Sequence, residues 1–463
     1  MISVNKVYTG YNNPEINLRW DWNSLLSDDP EMLLTRYTQR YFPEADVLVQ
    51  YLNDYADCFR LNIKYGVRVE RIEKQDKFKL YDSNNCEYYG KRLIVSTGFS
   101  QPYIPPIPGI ELTENYIDVS VNSADFTNQR VLVIGKGNSG FETAENLIET
   151  AAVIHILSPD SLTMAWKSHY VGHLRAVNNN FLDTYQLKCQ NAVLDATIKK
   201  IERQNGKLVV SVSYAHANGE EEDLIYDRVI TCAGFRFDHN IFADNCQPYM
   251  AINDRFPAQT SEWESSNVKD LYFAGVLMQM RDLKKTTSGF IHGFRYNIRA
   301  LFKILQKKYC DCPWPSYEID ISPESLVIAS LRRINSSSGL WQQFGFLCDL
   351  IVLSNRIAHY YEEVPVDYIQ DGKFDLHSNY FTVTLEFGKV EGDPFKIERQ
   401  PLPEEANSSV FLHPVIRHFH GSSLIAEKHL LEDLDAEWKK EQAHIQPLRN
   451  FFNSQLCYTN ATV

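Results

Sequence analysis

The chain has 463 residues, 44% of them apolar and 23% charged, with a formal net charge of −13. A length of this order fits about three domains, and the composition excludes collagen, coiled coil and wholesale disorder. The acidic balance, with no Lys/Arg-rich block, argues against a general binder of nucleic acid or anionic membrane.

From the N-terminus, Met1-Ile2-Ser3-Val4-Asn5-Lys6 has no signal-peptide core, so read literally the chain is cytosolic. Leu93-Ile94-Val95-Ser96-Thr97-Gly98 reads as an apolar strand ending in Thr-Gly, the kind of strand end that approaches a cofactor. Gln101 to Gly109 holds four prolines and reads as a stiff interdomain linker.

Residues 130 to 160 form one readable unit. Arg130-Val131-Leu132-Val133-Ile134 has the pattern of a buried parallel strand. It runs into Gly135-Lys136-Gly137-Asn138-Ser139-Gly140, and a helix pattern follows with Phe141, Ala144, Leu147 and Ile148 on one face. Ala152 to Leu157 is the second strand, which completes a βαβ unit around a Gly-x-Gly-x-x-Gly. Gly135 allows the tight turn, Gly137 lets a pyrophosphate approach the backbone, and Gly140 lets helix pack on sheet. The pyrophosphate then rests on the N–H groups that open the helix. At the second strand's end, Leu157-Ser158-Pro159-Asp160 leaves NADH and NADPH both open. Asp160 suits a ribose hydroxyl, but it follows a proline and serves equally as a turn residue.

Val229 to Gly234 and Leu271 to Gly275 repeat the strand-then-glycine pattern. Thr286-Thr287-Ser288-Gly289 precedes a helix pattern from Phe290 to Leu305, with a good N-terminal cap; its first N–H groups could face a flavin edge. The predicted cofactor-binding residues are therefore Gly135, Gly137, Asn138, Ser139, Gly140, Ser158, Thr97, Gly98, Gly234, Gly275, Ser288, Gly289 and Phe290, with no catalytic residue and no metal ligand assigned. From Pro313 onward the chain mixes a helix (Pro323 to Ile334), alternating strand (Tyr380 to Phe387) and a closing helix over Leu424 to Lys440. His413, His418 and His420 read as a polar, aromatic strand rather than a metal site. No apolar run approaches a membrane span, and the longest, Phe344 to Leu353, contains Asp349. The nine cysteines include no Cys-x-x-Cys, and Cys310-Asp311-Cys312 reads as two unpaired thiols at a domain boundary. The sequons at Asn335, Asn407 and Asn460 are compatible with a secreted C-terminal region.

The layout resembles two-dinucleotide flavoproteins of the flavin-monooxygenase type, in which a nicotinamide-nucleotide domain interrupts an FAD domain. The runs Leu18 to Leu26, Ser168 to Gly172, Leu182 to Lys188 and Gly289 to Tyr296 are more closely similar to the FAD-dependent oxidoreductase domain-containing proteins of the endoplasmic reticulum (ER). The resemblance implies an α/β, two-dinucleotide-binding Rossmann-like fold with FAD and NADPH or NADH as cofactors. Location in the ER lumen is also implied, with a role beside misfolded glycoprotein clients and the degradation and reductase machinery. Implied domains are a partial FAD-binding domain (1–108), an NAD(P)H-binding domain (109–234), a return to the FAD domain (235–312) and an α+β C-terminal domain (313–463). Such proteins open with a signal peptide and an FAD-binding βαβ and close with a retention tetrapeptide. This chain shows none of these, and its 21 glycines fall below the usual ~7%. It reads as truncated at both ends, and a chain of that extent would lack the loop that holds the FAD pyrophosphate. The segment Asn115 to Gln129 contains no His and Val276 stands after Gly275, so the monooxygenase fingerprints are missing. The expected function is an FAD- and NAD(P)H-dependent oxidoreductase with a partner thiol protein as electron acceptor. The alternatives are a monooxygenase and a non-enzymatic client-binding scaffold.

Overall fold

The computed structural model describes residues 3–354, 357–374, 376 and 378–461. In chain order its main elements begin α1 (Ala45–Cys58), β1 (Val69–Lys74), β2 (Phe78–Asp82), β3 (Glu87–Gly90), β4 (Leu93–Val95), β5 (Arg130–Ile134), α2 (Asn138–Leu147) and β6 (Val153–Ser158). They continue with β7 (Ala192–Gln204), β8 (Lys207–Tyr214), β9 (Glu221–Tyr226), β10 (Arg228–Thr231), β11 (Leu271–Phe273) and α3 (Ile291–Cys310). The last third adds β12 (Ser316–Asp320), α4 (Pro323–Ser336), β13 (Leu347–Ser354), β14 (Ile357–Pro365), β15 (Asn379–Glu386), β16 (His413–His420), β17 (Ser423–His429) and α5 (Gln446–Ala461). Two compact units result, one of residues 97–238 and 252–256, the other of residues 1–96, 239–251 and 257–463. Residues 313–461 lie in the same unit as β4, β11 and α3.

The unit of residues 97–238 is built on a sheet of order β9-β8-β7-β6-β5-β10, closed by the short strand Glu114–Asn115. Strands β7, β6, β5 and β10 run parallel, and β8 and β9 add antiparallel hairpins. The unbroken β-branched run of β5 is explained by burial on both faces. Val131 and Val133 pack with Phe141, Ala144 and Leu147 of α2. Leu132 and Ile134 point the other way, into a second cluster with Ile198, Val210 and Tyr226. The proline-rich stretch is not a free linker. Gln101–Pro102 pairs with Phe235–Arg236, and Gly109, at φ +84, lies so close to Ile201 that a Cβ would strike its carbonyl.

In the other unit, β4 and β11 form a short parallel pair and β1, β2 and β3 an antiparallel meander. Its largest sheet is antiparallel, in the order β12-β14-β13-β15-β16-β17. α4 and α5 cover one face, where Leu326, Ile334 and Phe452 meet Ile351, Phe381 and Ile416. α3 covers the other, where Tyr296, Ala300 and Ile304 meet Leu347, Leu350 and Tyr380. Two-sided cover explains why β15 is buried nearly throughout instead of alternating. It also explains the apolar run around Asp349. That carboxylate is buried in the sheet and accepts from Arg333 Nε at 2.8 Å, Tyr360 Oη at 3.0 Å and the Glu363 N–H at 2.9 Å. Among the described residues, no helix is long and apolar enough to cross a membrane.

The expected closing helix over Leu424 to Lys440 does not form. Ser423–His429 is β17, the hairpin partner of β16, and Gly421 (φ +55) and Ser422 make the two-residue turn. Leu424 and Leu434 are 53% and 81% exposed, so the apolar spacing that suggested a helix buries no stripe. The helix expected from Phe290 begins at Ile291, and its N-cap residue Phe290 makes no side-chain cap bond, contrary to the expected cap. The sequon residue Asn335 holds the Trp438 backbone from both ends of its amide, which leaves the amide nitrogen engaged.

Candidate functional site

The glycine loop sits where β5 hands over to α2. Gly135 has φ +120, and a Cβ there would run into the carbonyl oxygen of Cys232. A Cβ on Gly140 would strike the carbonyl oxygen of Gly135, so this glycine is required for α2 to pack against its own loop. Gly137 is different. Its φ is −85, and a Cβ there would meet nothing within 4 Å. Packing does not demand this glycine, and the space above it is open. α2 is ten residues long and carries no acidic side chain in its first turn, so its leading N–H groups present a positive end to that space.

Lys136, which no sequence signal singled out, is the best-anchored side chain of the loop. Its ammonium donates to the carbonyls of Ser158 and Asp160, each at 3.0 Å, and pairs with the Asp195 carboxylate. Asp195 also accepts from Ser161 Oγ at 2.8 Å. Burial works to raise the Asp195 carboxyl, but the bonds from Lys136 and Ser161 outweigh it and hold the group below its ordinary range. Ser158 thus contributes its carbonyl to a clamp that ties the loop to the ends of β6 and β7.

Asn138 is engaged in a similar way. Its amide oxygen accepts from the Arg175 N–H at 3.0 Å and from Asn178 Nδ2 at 3.1 Å, while its own Nδ2 donates to the His173 carbonyl at 2.9 Å. The side chain fastens the segment 173–178 to the helix start. Ser139 and Gly234 line one small crevice with Thr231 and Cys232, and Gly234 has φ +89 with open space beside it. Burial pushes the Cys232 thiol up to about 11, which leaves it a packing group rather than a nucleophile. The fold therefore gathers Gly135, Gly137, Asn138, Ser139, Gly140, Ser158 and Gly234 at one edge of the parallel sheet. Thr97 is exposed, and Gly98, at φ +68, is buried; both lie beyond the end of β4.

In the other unit, Ala274 separates β11 from Gly275, which has φ +68 and open space around it and begins a 3-10 turn to Asp282. Asp282 is buried and accepts on one carboxylate oxygen from Thr286 and from Ser288 Oγ, the latter at 2.6 Å. Its other oxygen, Oδ1, has no hydrogen-bond partner among the described residues. Burial pushes this carboxyl up to about 7. Ser288 also accepts from Asn297 Nδ2 and Gln343 Nε2, so the predicted Ser288 belongs to a buried polar network. Gly289 lies against the amide end of the Gln279 side chain, which a Cβ there would displace. Phe290 stacks on His292, whose other face meets Trp22 at 4.3 Å between ring centroids. The thiols of Cys310 and Cys312 are free and exposed at the far end of α3, ~30 Å of helix from this network.

The geometry can be tested against two dinucleotides. The loop fits the pyrophosphate of NAD(P)H: two glycines are demanded by packing, and the third is left clear below a helix start. For FAD, Gly275 and the orphaned oxygen of Asp282 fit the flavin end. The chain's single Gly-x-Gly-x-x-Gly lies in the unit of residues 97–238, and these flavin-side residues provide no second phosphate cradle.

A family model described as pyridine nucleotide-disulphide oxidoreductase matches residues 21–275. FAD-dependent oxidoreductase domain-containing protein 2 of Mus musculus is 34% identical over 514 residues, spanning 98% of this chain and 77% of that protein. Its Danio rerio counterpart is 33% identical, spanning 97% and 76%. Among solved structures, bacillithiol disulfide reductase Bdr (YpdA) from Staphylococcus aureus superposes with a TM-score of 0.49 at 16% identity, covering 65% of this chain and 84% of that one.

Proposed function

The chain belongs to the pyridine nucleotide-disulphide oxidoreductase family and, within it, groups with the FAD-dependent oxidoreductase domain-containing flavoproteins; from that premise we propose that it oxidises NAD(P)H through a flavin in ER protein quality control. The family implies FAD and NAD(P)H as cofactors. The observation that carries the proposal is the glycine loop, whose open position at Gly137 lies at the positive end of α2.

When bound, NAD(P)H supplies a hydride and FAD accepts it. The chain's own residues bind and orient. The α2 N–H groups would hold the pyrophosphate, Lys136 and Asp195 fix the loop against β6 and β7, and Asn138 keeps segment 173–178 beside the helix start. In the other unit, Asp282, with its pKa near 7, holds a proton that its orphaned oxygen can donate to an acceptor. The chain has no Cys-x-x-Cys, and the acceptor proposed is a partner disulfide, which two electrons and two protons would convert to two thiols. The ER lumen, misfolded glycoprotein clients and the degradation and reductase machinery are proposed on the strength of the family-like runs such as Leu182 to Lys188 and Gly289 to Tyr296.

Anaerobic mixing of the purified, FAD-loaded protein with NADH or NADPH tests this reading. Loss of the flavin absorbance is expected with at least one nucleotide. An oxidised spectrum that persists with both overturns it.

A further inference from the structure

The large antiparallel sheet ends at β12, which pairs with β14 on one side and with no strand on the other among the described residues. Natural edges are usually blunted by short strands, charged side chains (lysine above all), proline, a bulge or a covering segment, and of these β12 has its five-residue length and two acids. The sequence Ser316-Tyr317-Glu318-Ile319-Asp320 has neither proline nor lysine, and its register with β14 runs without a bulge from Ser316↔Tyr361 to Asp320↔Ile357. A groove of about 590 Å³ runs along it, with α4 as the far wall. α4 presents Ser325, Ile328, Ala329 and Arg332 to the groove, a single stripe at helical spacing. Ile328 is 60% exposed there and gives the groove an apolar wall. Arg332 does not close the groove; it is drawn back onto Tyr317, donating to its hydroxyl at 2.5 Å and lying over its ring.

We propose that β12 and this groove take up an extended segment of another protein, alternating apolar and basic residues, as a seventh strand. Strand addition satisfies the outward N–H and C=O groups of β12 and gives affinity independent of side chains. Side chains then sort by face. Those turned toward α4 meet Ile319 and Ile328 and are apolar. Those on the opposite face lie beside the exposed carboxylates of Glu318 and Asp320 and are basic. The same acids disfavour a second copy as the occupant, because antiparallel self-pairing centred on Glu318 sets the two Glu318 carboxylates opposite each other.

The test uses the full chain and fluorescence anisotropy of a labelled ten-residue peptide of alternating Val and Lys. Saturable binding is expected, weakened about tenfold by a central proline in the peptide, which removes ladder bonds. The Glu318→Lys/Asp320→Lys variant should lose about tenfold for this peptide and gain for its Val/Glu counterpart. The gain keeps the result distinct from misfolding. Amide exchange should slow at residues 316–320 on peptide addition. Absent binding, equal affinity for the charge-reversed variant, or protection confined to other segments overturns the proposal. A dimer by light scattering whose formation slows amide exchange at residues 316–320 without peptide overturns it too, since the occupant is then a second copy.

Discussion

Gly135 and Gly137 stand two residues apart in the same motif but do separable jobs. Gly135→Ala places a Cβ against the Cys232 carbonyl at φ +120, so urea unfolding should show a loss of about 1–3 kcal/mol. Gly137→Ala adds a Cβ that meets nothing within 4 Å, so its unfolding midpoint should stay close to wild type. Lys136 bears on the choice between NADH and NADPH. Its ammonium is spent on two carbonyls and Asp195, and Asp160 lies exposed nearby, so Lys136 is not free to pair with a 2′-phosphate. Binding of NADH about tenfold tighter than NADPH is expected by calorimetry, and an NADPH preference contradicts it. Asp282 gives a pH signature. Its folded carboxyl titrates near 7, against about 3.9 unfolded. Between those values the unfolded chain has released a proton that the folded chain keeps, so this group's contribution falls as pH rises. Denaturation from pH 4.5 to 7 should therefore show a wild-type slope steeper than that of Asp282→Asn by up to about 1 kcal/mol per pH unit.

At the scale of elements, legibility followed how local the signal was. β5, the glycine loop and α2 could be read because an apolar run, three glycines and a helical stripe agree within one short stretch. β15 was found as a strand but misread as alternating, since cover on both faces by α3, α4 and α5 is a tertiary fact. The segment after Gly421 was misread as helix because Leu430, Leu431, Leu434 and Trp438 happen to fall at helical spacing. The hairpin turn at Gly421-Ser422 was the overlooked local cue. The structure separates these residues energetically. Trp438 is fully buried with its indole N–H on the Leu431 carbonyl, so Trp438→Ala should cost about 3–5 kcal/mol. Leu434 is 81% exposed, and Leu434→Ala should change stability by less than about 0.5 kcal/mol in the same unfolding assay.

For the whole molecule, composition and charge excluded much and located nothing, while order along the chain carried the fold class. What escaped the sequence is long-range: the Lys136–Asp195 pair spans 59 residues, and the Asn138 clamp on segment 173–178 has no motif. The Asp282 network likewise joins a 3-10 turn, a helix start and Gln343 from the C-terminal region. Glycine-loop reasoning gave Gly135 the turn, Gly137 the open approach and Gly140 the helix packing, and the structure places backbone against a Cβ at Gly135 and Gly140 but open space at Gly137. That distinction is also the most direct test of the account. Calorimetric titration of the intact chain with NADH should show binding in wild type, and binding at least tenfold weaker in Gly137→Ala at a closely similar unfolding midpoint. Equal binding by both proteins, or no binding by wild type, would contradict the assignment of this loop as the nicotinamide-nucleotide site.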